Sequence, residues 1–204
     1  MSKRILHQYW SRRNCAQLIK MNETVFVQKQ FQQIESFRRE LQIYRKLQGS
    51  DLPHAEVIST ADQTLLLTRL PGKNLVEILE AQENTGTIDW HVWNKLVKWI
   101  ANFYCLTGFI MTDVNLRNFL YDDSTKTLYG LDFEECSEGD PAFMVSKLAA
   151  FIRTYAPKNT PLKQEIAKFV LTGLSRQLSL ELPILLLETK KQEALLLMRR
   201  NSRN

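Results

Sequence analysis

The chain has 204 residues, 44% of them hydrophobic and 24% charged, enough for one large domain or two small lobes sharing a cleft. No apolar run approaches the ~20 residues needed to span a bilayer, and the basic N-terminus, Met1 to Gln8, lacks the apolar stretch of a signal peptide. Three scattered cysteines, Cys15, Cys105 and Cys136, read as reduced thiols of a cytoplasmic protein, not as a disulfide framework or zinc site. The net charge of +5 favours an anionic partner such as nucleotide, RNA or an anionic lipid headgroup.

In chain order, Ile5 to Trp10, Ala16 to Lys20 and Thr24 to Gln30 read as strands, with Asn22-Glu23 as a hairpin turn. Alternation puts Val25, Val27 and Lys29 on one face of the third strand. Gln32 to Gln48, closed by Gly49, reads as a helix. Its spacing of three and four brings Phe37, Glu40, Tyr44 and Leu47 to one side. Strands are expected at Ala55 to Ser59 and Gln63 to Leu70, with Asp62 in the turn, before Pro71-Gly72 breaks the chain.

Beyond the break the pattern turns helical. Asn74, with Glu77 three residues on, caps a short helix. Asp89 caps a longer one whose stripe is Trp93, Leu96, Val97, Ile100 and Tyr104, ending at Gly108. A hairpin is expected from Phe119–Tyr121 and Thr127–Leu131. The remainder reads as helical, with starts at Thr160-Pro161 and near Pro183 and a polar basic tail over 199–204. The leucines from Leu185 to Met198 suit a packed lobe helix or a partner face.

Five residues stand in a telling order: Lys29 at a strand end, Glu40 on the inner helix face, Asp113 and Asn118 in Met111–Asn118, and Asp132 in Leu131-Asp132-Phe133-Glu134. This order resembles the protein-kinase-like superfamily. The resemblance implies that Lys29 holds nucleotide phosphates and Glu40 partners it. Asp113 orients an acceptor hydroxyl and takes its proton, while Asn118 and Asp132 hold magnesium. It also places ATP under a hinge at Arg69, Leu70, Pro71 and Gly72.

Leu70-Pro71-Gly72-Lys73-Asn74-Leu75 and Gly139-Asp140-Pro141-Ala142-Phe143 look like aminoglycoside and choline phosphotransferases. The small size is similar to compact atypical kinases of the RIO type, the lipopolysaccharide Kdo kinases and the small kinase of the tRNA threonylcarbamoylation complex. There are departures. Ser11-Arg12-Arg13-Asn14 stands where a glycine-rich loop is usual, and Arg12 and Arg13 supply charge in place of close backbone approach. Met111 replaces the usual histidine, and Thr112 replaces the arginine that would read a phosphorylated loop. Glu134 replaces the glycine after Asp-Phe, which implies a metal site that is fixed and not switched; it also offers a further oxygen. Met144 stands where the phosphotransferases carry an aspartate that braces the catalytic loop.

The expectation is therefore an α+β, two-lobed protein-kinase-like fold. A small antiparallel-sheet lobe with one helix spans 1–70, and a reduced, mainly helical lobe spans 71–204, with a hinge over 71–74. The expected activity is ATP- and Mg2+-dependent phosphoryl transfer to a hydroxyl on a small molecule, glycolipid or protein Ser/Thr. The alternative is a pseudokinase or ATPase-type subunit that binds nucleotide in a larger, RNA-linked assembly.

Overall fold

The computed structural model describes residues 3–9 and 14–201. The expectations for Trp10, Arg12, Arg13 and the end of the basic tail fall outside the described residues.

The chain opens with β1 (Lys3–Tyr9), β2 (Asn14–Met21) and β3 (Thr24–Phe31), followed by α1 (Ile34–Leu47), β4 (Val57–Ala61) and β5 (Thr64–Thr68). All five strands form one antiparallel sheet in the order β1-β2-β3-β5-β4. The β2–β3 turn has Asn22 and Glu23 at φ +48° and +54°. Two consecutive left-handed residues match the twist of the flanking strands, so a tight hairpin forms there. β3 is central: Lys29 lies opposite Ala16 on β2 and Leu65 on β5. α1 buries Glu40, Ile43, Tyr44 and Leu47, and Gly49 follows it at φ +77°.

Next come β6 (Lys73–Asn74), α2 (Leu75–Thr85) and α3 (Trp90–Thr107). The Asn74 side chain accepts from the backbone amides of Val76 and Glu77, and its amide donates to the Glu77 carboxylate. Asp89 accepts from the His91 amide. These caps satisfy amides that have no partner within the helix. α3 ends at Gly108 in the left-handed region. It buries Trp93, Leu96, Val97 and Ile100 as its stripe predicts, while Tyr104 is only partly buried.

The remainder is less purely helical than expected. β7 (Phe109–Met111) pairs with β10 (Cys136–Glu138), and β8 (Phe119–Asp122) pairs with both β6 and β9 (Thr127–Gly130). Residues 73–74, read as part of a hinge, thus form a strand against Tyr121 and Leu120. α4 (Pro141–Thr154), α5 (Pro161–Gln177) and α6 (Leu182–Asn201) complete the fold. α6 buries Leu185, Thr189 and Gln192 and exposes Ile184, Leu186, Leu187, Leu195 and Met198. No helix among the described residues is long and apolar enough to cross a membrane.

Gly72 has φ +106°, and a Cβ there would sit 2.4 Å from the Tyr121 carbonyl oxygen and 2.8 Å from the Asp122 nitrogen. Both obstacles are backbone, so neither can rotate away. Gly72→Ala is expected to cost about 2–4 kcal/mol from left-handed strain plus overpacking. Urea unfolding measures this, and an unchanged midpoint would contradict it.

Candidate active site

Lys29 shares its strand face with Val27 and Phe31, and its Nζ lies 4.9 Å from the Phe31 ring centroid. The ammonium meets three carboxylates: Glu40 at 2.6 Å, Asp132 at 2.5 Å and Glu134 at 3.2 Å. They come from the sheet's helix and from the segment after β9, so this contact ties residues about a hundred positions apart. Glu134 also accepts from the Asn14 side-chain amide, at the start of β2, and the Glu134 carbonyl faces the Arg39 guanidinium.

Phe133 sets the geometry of the two acids beside it. It is fully buried, stacked on Phe103 (5.6 Å) and Trp99 (6.3 Å) from α3 and edge-on to Tyr44 (5.2 Å) from α1. With Phe133 anchored in the core, Asp132 and Glu134 meet Lys29. Asp132 itself has φ +61°, a left-handed conformation that aspartate tolerates better than most residues.

Burial opposes the charge on Lys29, but Glu40, Asp132 and Glu134 more than offset it and hold its pKa well above the ordinary lysine value. Burial also pushes Glu40, 1% exposed, up to about 7, with Lys29 pulling the other way. Three carboxylates around one ammonium leave an excess of negative charge. Glu40, Asp132 and Glu134 offer oxygens within 4.8 Å of one another, a donor set that suits a hard divalent cation.

Asp113 and Asn118 occupy a neighbouring loop. Antiparallel pairing of Met111 with Cys136, and the bond from the Thr112 amide to the Glu135 carbonyl (3.0 Å), staple that loop to the acidic segment. The Asn118 side-chain amide donates to the Asp113 carbonyl (3.2 Å), and the Asn118 carbonyl accepts from the Leu131 amide (2.8 Å), one residue before Asp132. The backbone carbonyl of Asp113 ties the loop. Its carboxylate is 70% exposed and faces Lys147 Nζ at 3.5 Å. The structure therefore unites Lys29, Glu40 and Asp132 directly and links Asp113 and Asn118 to them through the loop. Arg69 is exposed and Leu70 half-buried against the core, on the segment between β5 and β6.

Sequence reasoning missed Asn14 and Lys147. Asn14 carried no signal, because its partner lies 120 residues away. Lys147 did carry one: a single lysine inside the apolar run Ala142 to Ile152 must be paired if it is buried.

No known protein-family profile matches the chain. Among solved structures, the Cydia pomonella granulovirus kinase PK-1 superposes with a TM-score of 0.53 at 16% identity, over 67% of this chain and 52% of that one. The chain has the protein-kinase-like fold. An 84-residue stretch, 41% of the chain, is 31% identical to the mitochondrial atypical kinase COQ8 of Saccharomyces cerevisiae and spans 16% of that protein. The chain thus covers about half of the viral kinase and a small part of the yeast one. The sheet with one helix followed by a mainly helical portion is the α+β architecture expected from the sequence.

The raised pKa of Glu40 has a definite sign. The folded state binds this proton more tightly than the unfolded chain, so its contribution is complete below about pH 4.5 and is lost as pH rises through about 7. The loss amounts to about 3 kcal/mol. Glu40→Gln is expected to match wild type near pH 4.5 and to exceed it in unfolding free energy above pH 7.5. Parallel stability profiles from denaturant titration would contradict this.

Proposed function

We propose that the chain is a phosphotransferase that moves the γ-phosphoryl group of ATP to an alcohol. The observation that supports this best is the meeting of Lys29, Glu40 and Asp132, from a sheet, a helix and a distant loop, beside a loop that carries an exposed Asp113. The kinase-like relatives agree with it. Residues up to 70 serve as the nucleotide-binding lobe and 71–204 as the catalytic lobe, with Arg69 and Leu70 bordering the nucleotide.

In this reading Lys29 turns from Asp132 and Glu134 toward phosphate oxygens while Glu40 keeps the ammonium aimed. Asp132 and Asn118 hold Mg2+, with Glu134 as an added oxygen. The Asn118 amide nitrogen is committed to the Asp113 carbonyl, which leaves its Oδ1 as the ligand atom. Bound there, the cation supplies positive charge against the phosphate oxygens. Asp113, with its carboxylate largely in solvent, orients the acceptor hydroxyl and accepts its proton as the oxygen attacks. Its exposure suits an acceptor that approaches from outside the cleft.

Two variants test this. Asp132→Asn is expected to weaken Mg2+-dependent ATP binding and leave metal-free binding nearly unchanged, by calorimetry with and without Mg2+. Asp113→Asn is expected to keep MgATP affinity and melting temperature but lose about 10²- to 10⁴-fold in kcat for ATP turnover. Equal turnover by wild type and Asp113→Asn would replace the enzyme reading with that of a nucleotide-binding subunit.

A further inference from the structure

We propose that Lys147 is a positioning residue that clamps the catalytic loop and aims the Asp113 carboxylate; the idea rests on the phosphotransferase reading above. Lys147 lies on α4, whose N-terminus is fixed by Pro141 and by the Asp140 side chain accepting from the Ala142 amide at 2.8 Å. Met144 and Lys147 are one turn apart and so share a face. They grip consecutive residues of the loop. The Met111 amide donates to Met144 Sδ (3.4 Å), and Lys147 Nζ donates to the Thr112 carbonyl and lies 3.5 Å from Asp113 Oδ1. The loop is thus braced by a thioether and an ammonium from one face of α4.

The burial of Lys147 argues for a role beyond solubility. Its side chain is 11% exposed, and Val145, Ser146, Leu148, Ala149 and Ala150 around it in sequence are all fully buried. An ammonium in such surroundings is costly unless its protons are satisfied. Lys163 offers a contrast. It is also buried, bonded to the Pro157 carbonyl at 2.6 Å and 3.7 Å from Glu83, whose side chain is only 14% exposed. The carboxylate partner of Lys147 is 70% exposed and does little to shield the charge. The placement instead restricts Asp113.

The physical effect is orientation. Lys147 acts through geometry, as a fixed point beside the Asp113 carboxylate. It holds the Thr112 carbonyl fixed and limits the rotation of the Asp113 side chain, and small errors in placement reduce turnover strongly.

The test uses the full chain with Lys147→Met, which keeps length and tolerates burial, and Lys147→Arg, which keeps the charge. Lys147→Met is expected to retain its melting behaviour and to bind MgATP within about threefold of wild type, while kcat falls about 10- to 100-fold with KM for ATP nearly constant. Lys147→Arg is expected to recover most of that loss. In an Asp113→Asn background, Lys147→Met is expected to add no further loss, because the two act through one carboxylate. A full additional loss in that background, or an unchanged kcat, overturns the proposal. If Lys147→Met does not fold, Lys147→Gln replaces it, keeping a donor for the Thr112 carbonyl and removing the charge beside Asp113. Amide hydrogen exchange separates this proposal from the reading beneath it. Over Thr112–Asn118, Lys147→Met is expected to exchange about tenfold faster than wild type and Lys147→Arg is not. A wild type that lacks ATP turnover overturns the phosphotransferase reading, and with it the effect of Lys147 on turnover. Unchanged exchange in Lys147→Met overturns the clamp whether or not the protein turns over ATP.

Discussion

The structure depends on one ammonium group serving three carboxylates. Lys29 sits on the central strand of the first sheet, Glu40 on the helix packed beside it, and Asp132 and Glu134 a hundred residues later. A buried ion pair adds little net stability, because desolvation consumes most of the Coulombic gain. What it does well is exclude alternatives: moving any of the three segments leaves a charge uncompensated. The excess of negative charge in the same place is the complementary fact. A folded protein tolerates such an excess where a cationic ligand or a titrating proton is available to relieve it.

Around this polar centre the apolar scaffold does the positioning. Trp99 and Phe103 on α3 and Tyr44 on α1 enclose Phe133, and Phe119 at the start of β8 packs edge-on against Trp99. The short β7–β10 pair then sets the Asp113 loop alongside the acidic segment. Core and site are therefore not separate layers. The aromatic cluster anchors Phe133 between Asp132 and Glu134, and the two-stranded pair holds the acidic segment beside the Asp113 loop.

Local signals in the sequence were strong wherever one residue type meets one backbone need. The Asn22-Glu23 turn, the caps at Asn74 and Asp89 and the glycine stops after α1 and α3 were all readable, because each is decided within a few residues. Lys73–Asn74, Phe109–Met111 and Cys136–Glu138 were not. Strands of two or three residues are too short to show alternation, and they exist only because a distant partner lies alongside. The candidate site divides in the same way. Lys29, Glu40, Asp113, Asn118 and Asp132 were visible through their order along the chain. The bond from Asn14 to Glu134 and the grip of Lys147 on Thr112 depend on packing between elements far apart in sequence. A lysine in an apolar helix reads as an interruption until the fold supplies its partners.

The burial of Phe133 has a consequence for ligand chemistry. A small molecule directed at the acidic segment would gain contacts by extending into the space beneath it. Here that space is filled by a ring fully buried against Trp99, Phe103 and Tyr44. Expelling it into water costs on the order of 2 kcal/mol before the ligand makes any new contact, and it would drag Asp132 and Glu134 away from Lys29. The exposed surface of the Asp113 loop is easier to engage. There Arg117 lies 5.8 Å and 5.6 Å from the Phe151 and Tyr155 ring centroids, on the same short loop as the exposed Asp113, and a flat anionic group could engage it without disturbing the core.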